Sequence, residues 1–320
     1  MLAGGIFGAP RIAVAQRSAK LVRIGILSPY PPPSRPDSGD PFVKALRDLG
    51  YIEGQTIAFE YRYAHGRYDR LPPLAAELVH LGVDVIFTSW GTPSALAAKK
   101  ATQTIPVVFT GIGDAIGVGL VGSLSRPGGN VTGLTLVSQD TVGKQLQLLK
   151  EAVPGMTRVA VVTNPTNPVY GPVLKDVELK GEKLHLRVDR IGVQDGSELE
   201  PAFDAARKAG VGGLVFLRDS VFVTNQEQLL GIVSRHRLPA MYGVRDFVDG
   251  GGLMSYGPNM SEMYRRAAVY VDRILKGTKP GDLPVEQAER FELVVNKRTA
   301  RALGVTLPPT LLLRADQVIE

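Results

Sequence analysis

Residues 83–93 read Val-Asp-Val-Ile-Phe-Thr-Ser-Trp-Gly-Thr-Pro, and this stretch decides the fold. Val83 to Phe87 is a short apolar run typical of a largely buried strand, and the polar and glycine residues after it predict a turn. A helix is expected to start at Thr92-Pro93. Strand, turn and helix recur in this order along most of the chain, which is typical of parallel sheets covered by helices on both faces.

The alternation falls into two sets, and a length of 320 residues exceeds the usual size of one compact α/β unit. We therefore predict an α/β protein with two doubly wound, Rossmann-like lobes, each with a parallel central sheet. A strand that starts with Ile105-Pro106 resembles one that starts with Leu238-Pro239, which fits two similarly wound lobes. The predicted strands are 21–27, 57–62, 83–87 and 105–110 in the first set, and 159–163, 184–191 and 213–217 in the second.

The composition excludes several classes of function. The chain has no cysteine, which excludes disulfides, Cys-ligated metal sites, thiol nucleophiles and a lipid anchor on an N-terminal Cys. The formal net charge is +6, but lysine and arginine are scattered among acidic residues and no nucleic-acid-binding motif accompanies them. We expect no nucleic-acid partner.

The first residues have the character of an export signal. Residues 1–16 are apolar and small, and Ala13-Val14-Ala15 has the A-x-A form that signal peptidase cuts, which would leave Gln16 as the mature N-terminus. The positive segment that normally precedes the apolar one is missing, because Arg11 is the first basic residue. We expect an exported, soluble protein without a lipid anchor, with a frayed tail of a cytosolic protein as the alternative.

Candidate ligand-binding residues lie in the turns after the strands, because ligands of open parallel sheets bind beyond the carboxyl ends of the strands. Hydroxyls, amides, carboxylates and aromatic rings collect there, a mixture suited to orienting a small polar or zwitterionic molecule. The candidates are Tyr30, Ser89, Trp90, Gly91, Thr92, Gly113, Asp114, Asn164, Asn167, Tyr170, Asp219, Tyr242 and Tyr256.

Each candidate also has a purely structural interpretation. The glycines are ordinary turn residues, Asn164 and Asn167 can form Asx turns or helix caps, and Asp219 can cap a helix. Trp90, the only tryptophan, can fill a crevice between a strand and a helix. A cap and a ligand contact can be the same residue, so both roles stay open.

The sequence predicts no enzyme, cofactor or metal site. Its histidines, His65, His80, His185 and His236, do not stand at predicted strand ends beside a carboxylate or serine. The chain has no nucleophile elbow, no zinc spacing and no G-x-G-x-x-G that opens a helix, and Gly143-Lys144 lacks the upstream glycine of a phosphate loop.

Several stretches resemble one family, the substrate-binding proteins of ABC transporters, typified by tryptophan-type importers. The most specific match is Arg126-Pro-Gly-Gly-Asn-Val-Thr-Gly133. The sequence departs from the family at Thr88-Ser89-Trp90, where a residue smaller than tryptophan is expected. The other matching stretches are 105–114, 123–125, 164–168, 250–257 and 291–296.

The resemblance implies a type I periplasmic binding protein fold, in which a hinge joins the lobes and a small-molecule solute binds between them. It implies a periplasmic, monomeric protein that works with an ABC permease and its ATPase subunit. Crossovers are expected near Thr135–Gln139 and Ser255–Asn259, with helix Ser261–Leu275 returning to the first lobe. After an N-terminal tail of residues 1–20, the expected lobes are 21–136 plus about 257–300, and 137–256 plus about 301–320.

If the ligand is an amino acid, we expect Asp114 or Asp219 to meet its ammonium and Trp90 or Tyr242 to flank its side chain. Backbone N–H groups with Thr92 or Asn164 would meet the carboxylate. An aromatic or branched ligand is preferred. The alternatives are a periplasmic ligand sensor and a cytosolic α/β enzyme acting on a small metabolite.

Overall fold

A computed structural model describes residues 21–32, 40–89, 91–136 and 138–320. The predicted signal segment and Trp90 lie outside the described residues. The strands are β1 (Val22–Ser28), β2 (Ile57–Tyr63), β3 (Val85–Thr88), β4 (Val107–Ile112), β5 (Val131–Thr135), β6 (Arg158–Thr163), β7 (Arg187–Gly192), β8 (Leu214–Phe216), β9 (Ala240–Tyr242), β10 (Met254–Pro258), β11 (Glu286–Gln287), β12 (Phe291–Asn296) and β13 (Gln317–Ile319). The helices are α1 (Pro41–Asp48), α2 (Leu71–His80), α3 (Thr92–Ala101), α4 (Ser138–Ala152), α5 (Tyr170–Lys183), α6 (Leu199–Lys208), α7 (Ser220–Thr224), α8 (Gln226–Arg235), α9 (Asp246–Asp249), α10 (Met260–Leu275), α11 (Lys297–Leu303) and α12 (Pro309–Arg314).

Local signals explain where the first helix begins and the chain turns. The Asp40 side chain accepts a hydrogen bond from the Phe42 amide at 2.9 Å, and Pro41 occupies the first helical position, where its missing N–H is not needed. Gly50, just beyond α1, has a φ of 93°, a left-handed conformation that glycine adopts without strain. The capped start and the glycine turn return the chain to the sheet.

The strands form two separate sheets, which confirms the predicted fold class. The first is six-stranded in the order β11-β5-β4-β3-β1-β2, and its strand pairs are parallel. The second is seven-stranded in the order β13-β12-β10-β9-β8-β6-β7. It is parallel except that β12 runs antiparallel to β10. We call the first sheet with its helices unit 1, and the second sheet with its helices unit 2.

Apolar side chains bury both faces of each sheet. In unit 1, Val107 and Phe109 of β4 belong to a cluster with α2 and α3, whereas Val108 between them packs with α1 and α10. This alternation follows from the two-residue period of a strand, which sends successive side chains to opposite faces. Unit 2 repeats the arrangement with two further clusters.

The chain passes between the two sheets from β5 to α4 and from β10 to α10. A further crossing, which the sequence did not predict, joins β11 to β12 through residues 288–290. The expected extent of lobe 1, to about residue 300, therefore differs from the sheet membership. Antiparallel pairing with β10 places Phe291–Asn296 in the second sheet, and Gly257 and Pro258 end β10 of the same sheet.

Helix α10 packs against α1 and reaches β4 and β5, so it returns to unit 1 as expected. In the part of the chain that the structure describes, no helix combines the length and apolar character needed to cross a membrane.

Candidate ligand-binding site

A cavity lies between the two units, at the edge where the strands of both sheets end. It encloses about 780 Å³ of empty space, its open mouth included. The segments after β1, β3 and β4 line it from unit 1, and α4, α5 and the segments after β8 and β9 line it from unit 2.

About half of the residues predicted for the site meet at this cavity, and both units contribute to them. Those that line it are Tyr30, Gly91, Thr92, Gly113, Asn167, Tyr170 and Asp219. The remaining predicted residues that the structure describes do not line it: Ser89, Asp114, Asn164, Tyr242 and Tyr256.

Tyr242 lies in the core of unit 2 instead of beside the cavity. Its side chain is fully buried, and its ring stacks between Phe216 and Phe247, with centroids 5.1 and 4.8 Å away. Tyr242 does lie at the end of a strand, as predicted. The pleat of the strand, however, directs its side chain to the face of the sheet that α8 and α9 cover. The suggested role beside the ligand is therefore not supported at Tyr242.

Three other candidates have structural contacts in place of cavity contacts. Asp114 accepts a hydrogen bond from the Gly117 amide at 2.8 Å and faces a neighbouring depression. The Tyr256 ring stacks on Phe291 with centroids 5.7 Å apart. Asn164 lies behind the cavity wall, where it supports Asp219.

Asp219 is the centre of a hydrogen-bond network. Its Oδ1 accepts from Asn164 Nδ2 at 3.0 Å and from the Val221 amide at 3.2 Å, and its Oδ2 accepts from Asn167 Nδ2 at 2.9 Å and Tyr68 Oη at 2.8 Å. Burial raises the pKa of this carboxyl, while the four hydrogen bonds oppose the rise. The bond from Val221 also makes Asp219 the N-cap of α7, so the capping role is realised at the site.

The two asparagines are held in turn by their own backbone. Asn164 Oδ1 accepts from the Thr166 amide at 3.0 Å, and Asn167 Oδ1 accepts from the Val169 amide at 3.3 Å. These Asx turns use the carbonyl end of each side chain, so the amide end is left to donate to Asp219. The structural and the site interpretations of these residues hold together.

Arg218 and Tyr68, which the sequence analysis did not single out, bring further polar groups to the cavity. Arg218 is partly buried, and its Nη2 donates to the Tyr30 hydroxyl at 3.0 Å. Burial lowers the pKa of this guanidinium, and an arginine stays protonated even so. Arg218 directly precedes Asp219 after β8, so the rule that pointed to Asp219 applied equally to its neighbour.

Three tyrosines, Tyr30, Tyr68 and Tyr170, line the cavity. Burial raises the pKa of Tyr30 to about 12 and the pKa of Tyr68 and Tyr170 well above the ordinary value. All three hydroxyls therefore keep their protons at neutral pH. The Tyr170 hydroxyl donates to the Arg218 carbonyl, which ties the start of α5 to the end of β8.

Gln145 of α4 adds a buried acceptor. The side chain is 3% exposed and lines the cavity, and its Nε2 donates to the Tyr256 carbonyl at 2.7 Å. Its Oε1 has no hydrogen-bond donor among the residues that the structure describes. A buried acceptor of this kind carries an unmet desolvation cost.

Apolar residues form the rest of the wall, from Pro29, Leu136, Val142, Val169, Val173, Leu217 and Pro258. Within the described ranges, Arg218 and Asp219 are the charged side chains of the lining. In the part of the chain that the structure describes, no group of three or more His, Asp or Glu residues is placed to hold a metal ion.

The sequence shows to which protein family this two-unit fold belongs. The family model for the ABC transporter substrate binding protein matches residues 23–319. The chain belongs to this family. Membership confirms the resemblance and the prediction of a binding protein in place of an enzyme.

Relatives of this substrate-binding protein carry informative names. A protein of Clostridioides difficile (strain R20291) named tyrosine-binding protein is 28% identical over 289 residues, which are 90% of this chain and 82% of the relative. A structure described as an ABC domain in complex with L-Trp, from Streptococcus pneumonia, is 25% identical and has a TM-score of 0.84. The match covers 93% of this substrate-binding protein and 100% of that chain.

A third relative bears on how the two units are placed. The ligand-free, open structure of a substrate-binding protein with adhesive properties from Clostridium difficile is also 25% identical, covering 93% of this chain and 99% of its own. Its TM-score is only 0.65. At equal identity and coverage, our substrate-binding protein is therefore more similar to the ligand-bound relative than to the open one.

Proposed function

We propose that this chain is the extracytoplasmic solute-binding subunit of an ABC importer and that it binds an aromatic L-amino acid. The observation that carries the proposal is the cavity, which combines apolar walls and three tyrosines with the Arg218 guanidinium. Apolar and aromatic surface suits an aromatic ring, and the few polar groups orient the amino-acid backbone.

Arg218 is the proposed partner of the ligand carboxylate. A guanidinium presents its donors as a planar fork that matches a carboxylate, and such charge-assisted bonds are stronger than neutral ones. Gly91 and Thr92 line the cavity where α3 begins. Backbone N–H groups at a helix start favour anions, so this edge can share the carboxylate's charge.

The relatives support an aromatic ligand. One is named for tyrosine and another is described in complex with L-Trp, so both named ligands are aromatic amino acids. The walls formed by Val142, Val173 and Leu217 offer no hydrogen bonds to a sugar, which would need several. An aromatic amino acid therefore fits the proposed site better than a sugar does.

In this proposal the protein acts by closing its two units around the ligand, and it does not convert the ligand chemically. A ligand that contacts both units favours the closed arrangement by as much as it binds that arrangement more tightly. The closed form would then dock on a membrane permease, which an ATPase subunit drives. The protein would work outside the cytoplasmic membrane, in the periplasm.

A binding screen tests the proposal. Isothermal titration of the purified chain with L-Tyr, L-Trp, L-Phe, L-Leu and glucose should show tight binding for at least one aromatic amino acid and none for glucose. A bound ligand should also raise the melting temperature. Tight binding of glucose or L-Leu alone, or conversion of any of these compounds, would contradict the proposal.

A matched pair of variants locates the site. Thr141 lines the cavity and Gln147 is exposed on the same helix, α4. Thr141→Trp should abolish binding by filling the cavity, and Gln147→Trp should leave it unchanged. Melting temperatures without ligand will show whether both variants fold.

A further inference from the structure

Tyr68 and Asp219 connect the two units directly across the cavity. Tyr68 lies between β2 and α2, and its ring packs against a core cluster of unit 1. Asp219 follows β8 of unit 2, and the Tyr68 hydroxyl donates to its Oδ2 at 2.8 Å. Because the two residues belong to different units, this bond exists only while the units are closed.

With Tyr68 in place, the Asp219 carboxylate has a donor at each of its usual acceptor positions. An ionised carboxylate offers about four lone-pair sites, and Asp219 accepts four hydrogen bonds from the protein. Three of the donors come from unit 2 itself, so only the fourth depends on closure. A ligand ammonium would have to displace Tyr68 to reach this carboxylate.

Further contacts near the Tyr68–Asp219 hydrogen bond also join the two units. The Arg218 guanidinium of unit 2 donates to the hydroxyl of Tyr30, which follows β1 of unit 1. The Tyr30 ring packs against a core cluster of unit 2. Gly66 lies so close to Thr224 of α7 that an added Cβ would be 3.5 Å from the threonine Oγ1. Residues of both units therefore meet at several places beside the ligand cavity.

We infer that Tyr68 is a positioning residue that stabilises the closed arrangement by donating to Asp219. We call this hydrogen bond the latch. Asp219 then serves as the acceptor of the latch and does not hold the ligand's ammonium. The expected effect on ligand retention rests on the proposed function, whereas the expected effect on closure does not. Part of the free energy of closing is then supplied by the protein. The ligand is retained longer because opening must also break the latch.

The test of the latch is Tyr68→Phe, which removes only the hydroxyl, with Tyr63→Phe of nearby β2 as the control. Small-angle X-ray scattering of the unliganded proteins should give a larger radius of gyration for Tyr68→Phe than for the wild type and Tyr63→Phe. Stopped-flow binding of L-Tyr should show a faster dissociation rate with a nearly unchanged association rate. Loss of a hydrogen bond to a charged group predicts an affinity roughly ten- to a hundred-fold weaker.

A second comparison tests the role of Asp219. The compound 3-(4-hydroxyphenyl)propionate is L-Tyr without its ammonium. If Asp219 is the latch anchor, wild type and Asp219→Asn should prefer L-Tyr over this compound by the same factor. A preference that falls by more than about ten-fold in Asp219→Asn would show that Asp219 binds the ammonium and would overturn the inference.

The outcomes separate the latch from the proposed function. Identical scattering and dissociation rates for the Tyr68→Phe and Tyr63→Phe variants would overturn the latch. A more open unliganded Tyr68→Phe in a protein that binds no aromatic amino acid would support the latch and contradict the proposed function.

Discussion

Replacing Arg218 by methionine should weaken the binding of L-Tyr strongly. Methionine keeps an unbranched stem of similar length but removes the guanidinium, the proposed partner of the ligand carboxylate. The side chain is partly buried in a largely apolar wall and also donates to Tyr30 at 3.0 Å. Water therefore compensates its loss poorly.

The magnitude follows from the burial of the pair. Truncating one partner of a buried, hydrogen-bonded charge pair costs about 2–5 kcal/mol. A factor of ten in affinity corresponds to about 1.4 kcal/mol, so the dissociation constant for L-Tyr should rise by roughly 30-fold to several thousand-fold. Arg218→Lys should restore little of the affinity, because an ammonium lacks the planar fork of donors.

Calorimetric titration with L-Tyr and with tyramine, which lacks the carboxylate, separates this contact from a general loss of structure. If Arg218 binds the carboxylate, Arg218→Met should weaken L-Tyr at least about ten-fold more than tyramine. Equal weakening of both compounds would refute the assignment, and the loss would then reflect the bond to Tyr30 and closure.

Further predictions concern specificity, pH and packing. Gln145→Met should weaken the binding of L-Tyr by about 1–3 kcal/mol more than the binding of L-Phe in calorimetric titrations. The reason is that the phenol of L-Tyr can donate a hydrogen bond to the buried Oε1 of Gln145, and L-Phe has no such donor. Equal losses of affinity for the two ligands would contradict this prediction. Burial raises the pKa of Asp219 above its ordinary 3.8, so the folded state binds this proton more tightly, and the contribution of this carboxyl to the free energy of unfolding falls as the pH rises above about 4 through the folded-state pKa. Asp219→Asn should make that decline shallower in denaturant titrations at several pH values, and an unchanged slope would count against the shift. Gly257→Ala should destabilise the fold by about 1–3 kcal/mol, because its Cβ would lie 1.9 Å from the Gly243 carbonyl oxygen. Gly155→Ala, which meets no atom within 4 Å, is the control, and equal unfolding free energies for the two variants would contradict the clash.

The fold was predictable because its signals are local. The apolar run that ends in β3 and the turn that starts α3 stand next to each other in the chain, and the same order recurs through both units. The third crossing was not predictable, because Phe291–Asn296 joins the second sheet through antiparallel pairing with β10. That pairing depends on tertiary contacts that no neighbouring residue indicates.

The lining of the candidate cavity was predictable only where it follows strand ends. Asn167, Tyr170 and Asp219 were found by that rule. Tyr68 was missed because it belongs to a short 3-10 turn before α2 and reaches the cavity only when the two units meet. The rule also selected Tyr242, since a strand end indicates proximity but does not show which face the side chain takes.

A crystal structure of the purified protein grown with L-Tyr tests the central claim most directly. We expect the ligand between the two sheets, with its ring against Tyr30 or Tyr170 and its carboxylate on the Arg218 guanidinium. Tyr68 should remain bonded to Asp219. Electron density for L-Tyr outside this cavity, or a closed structure without L-Tyr at saturating concentration, would contradict the account.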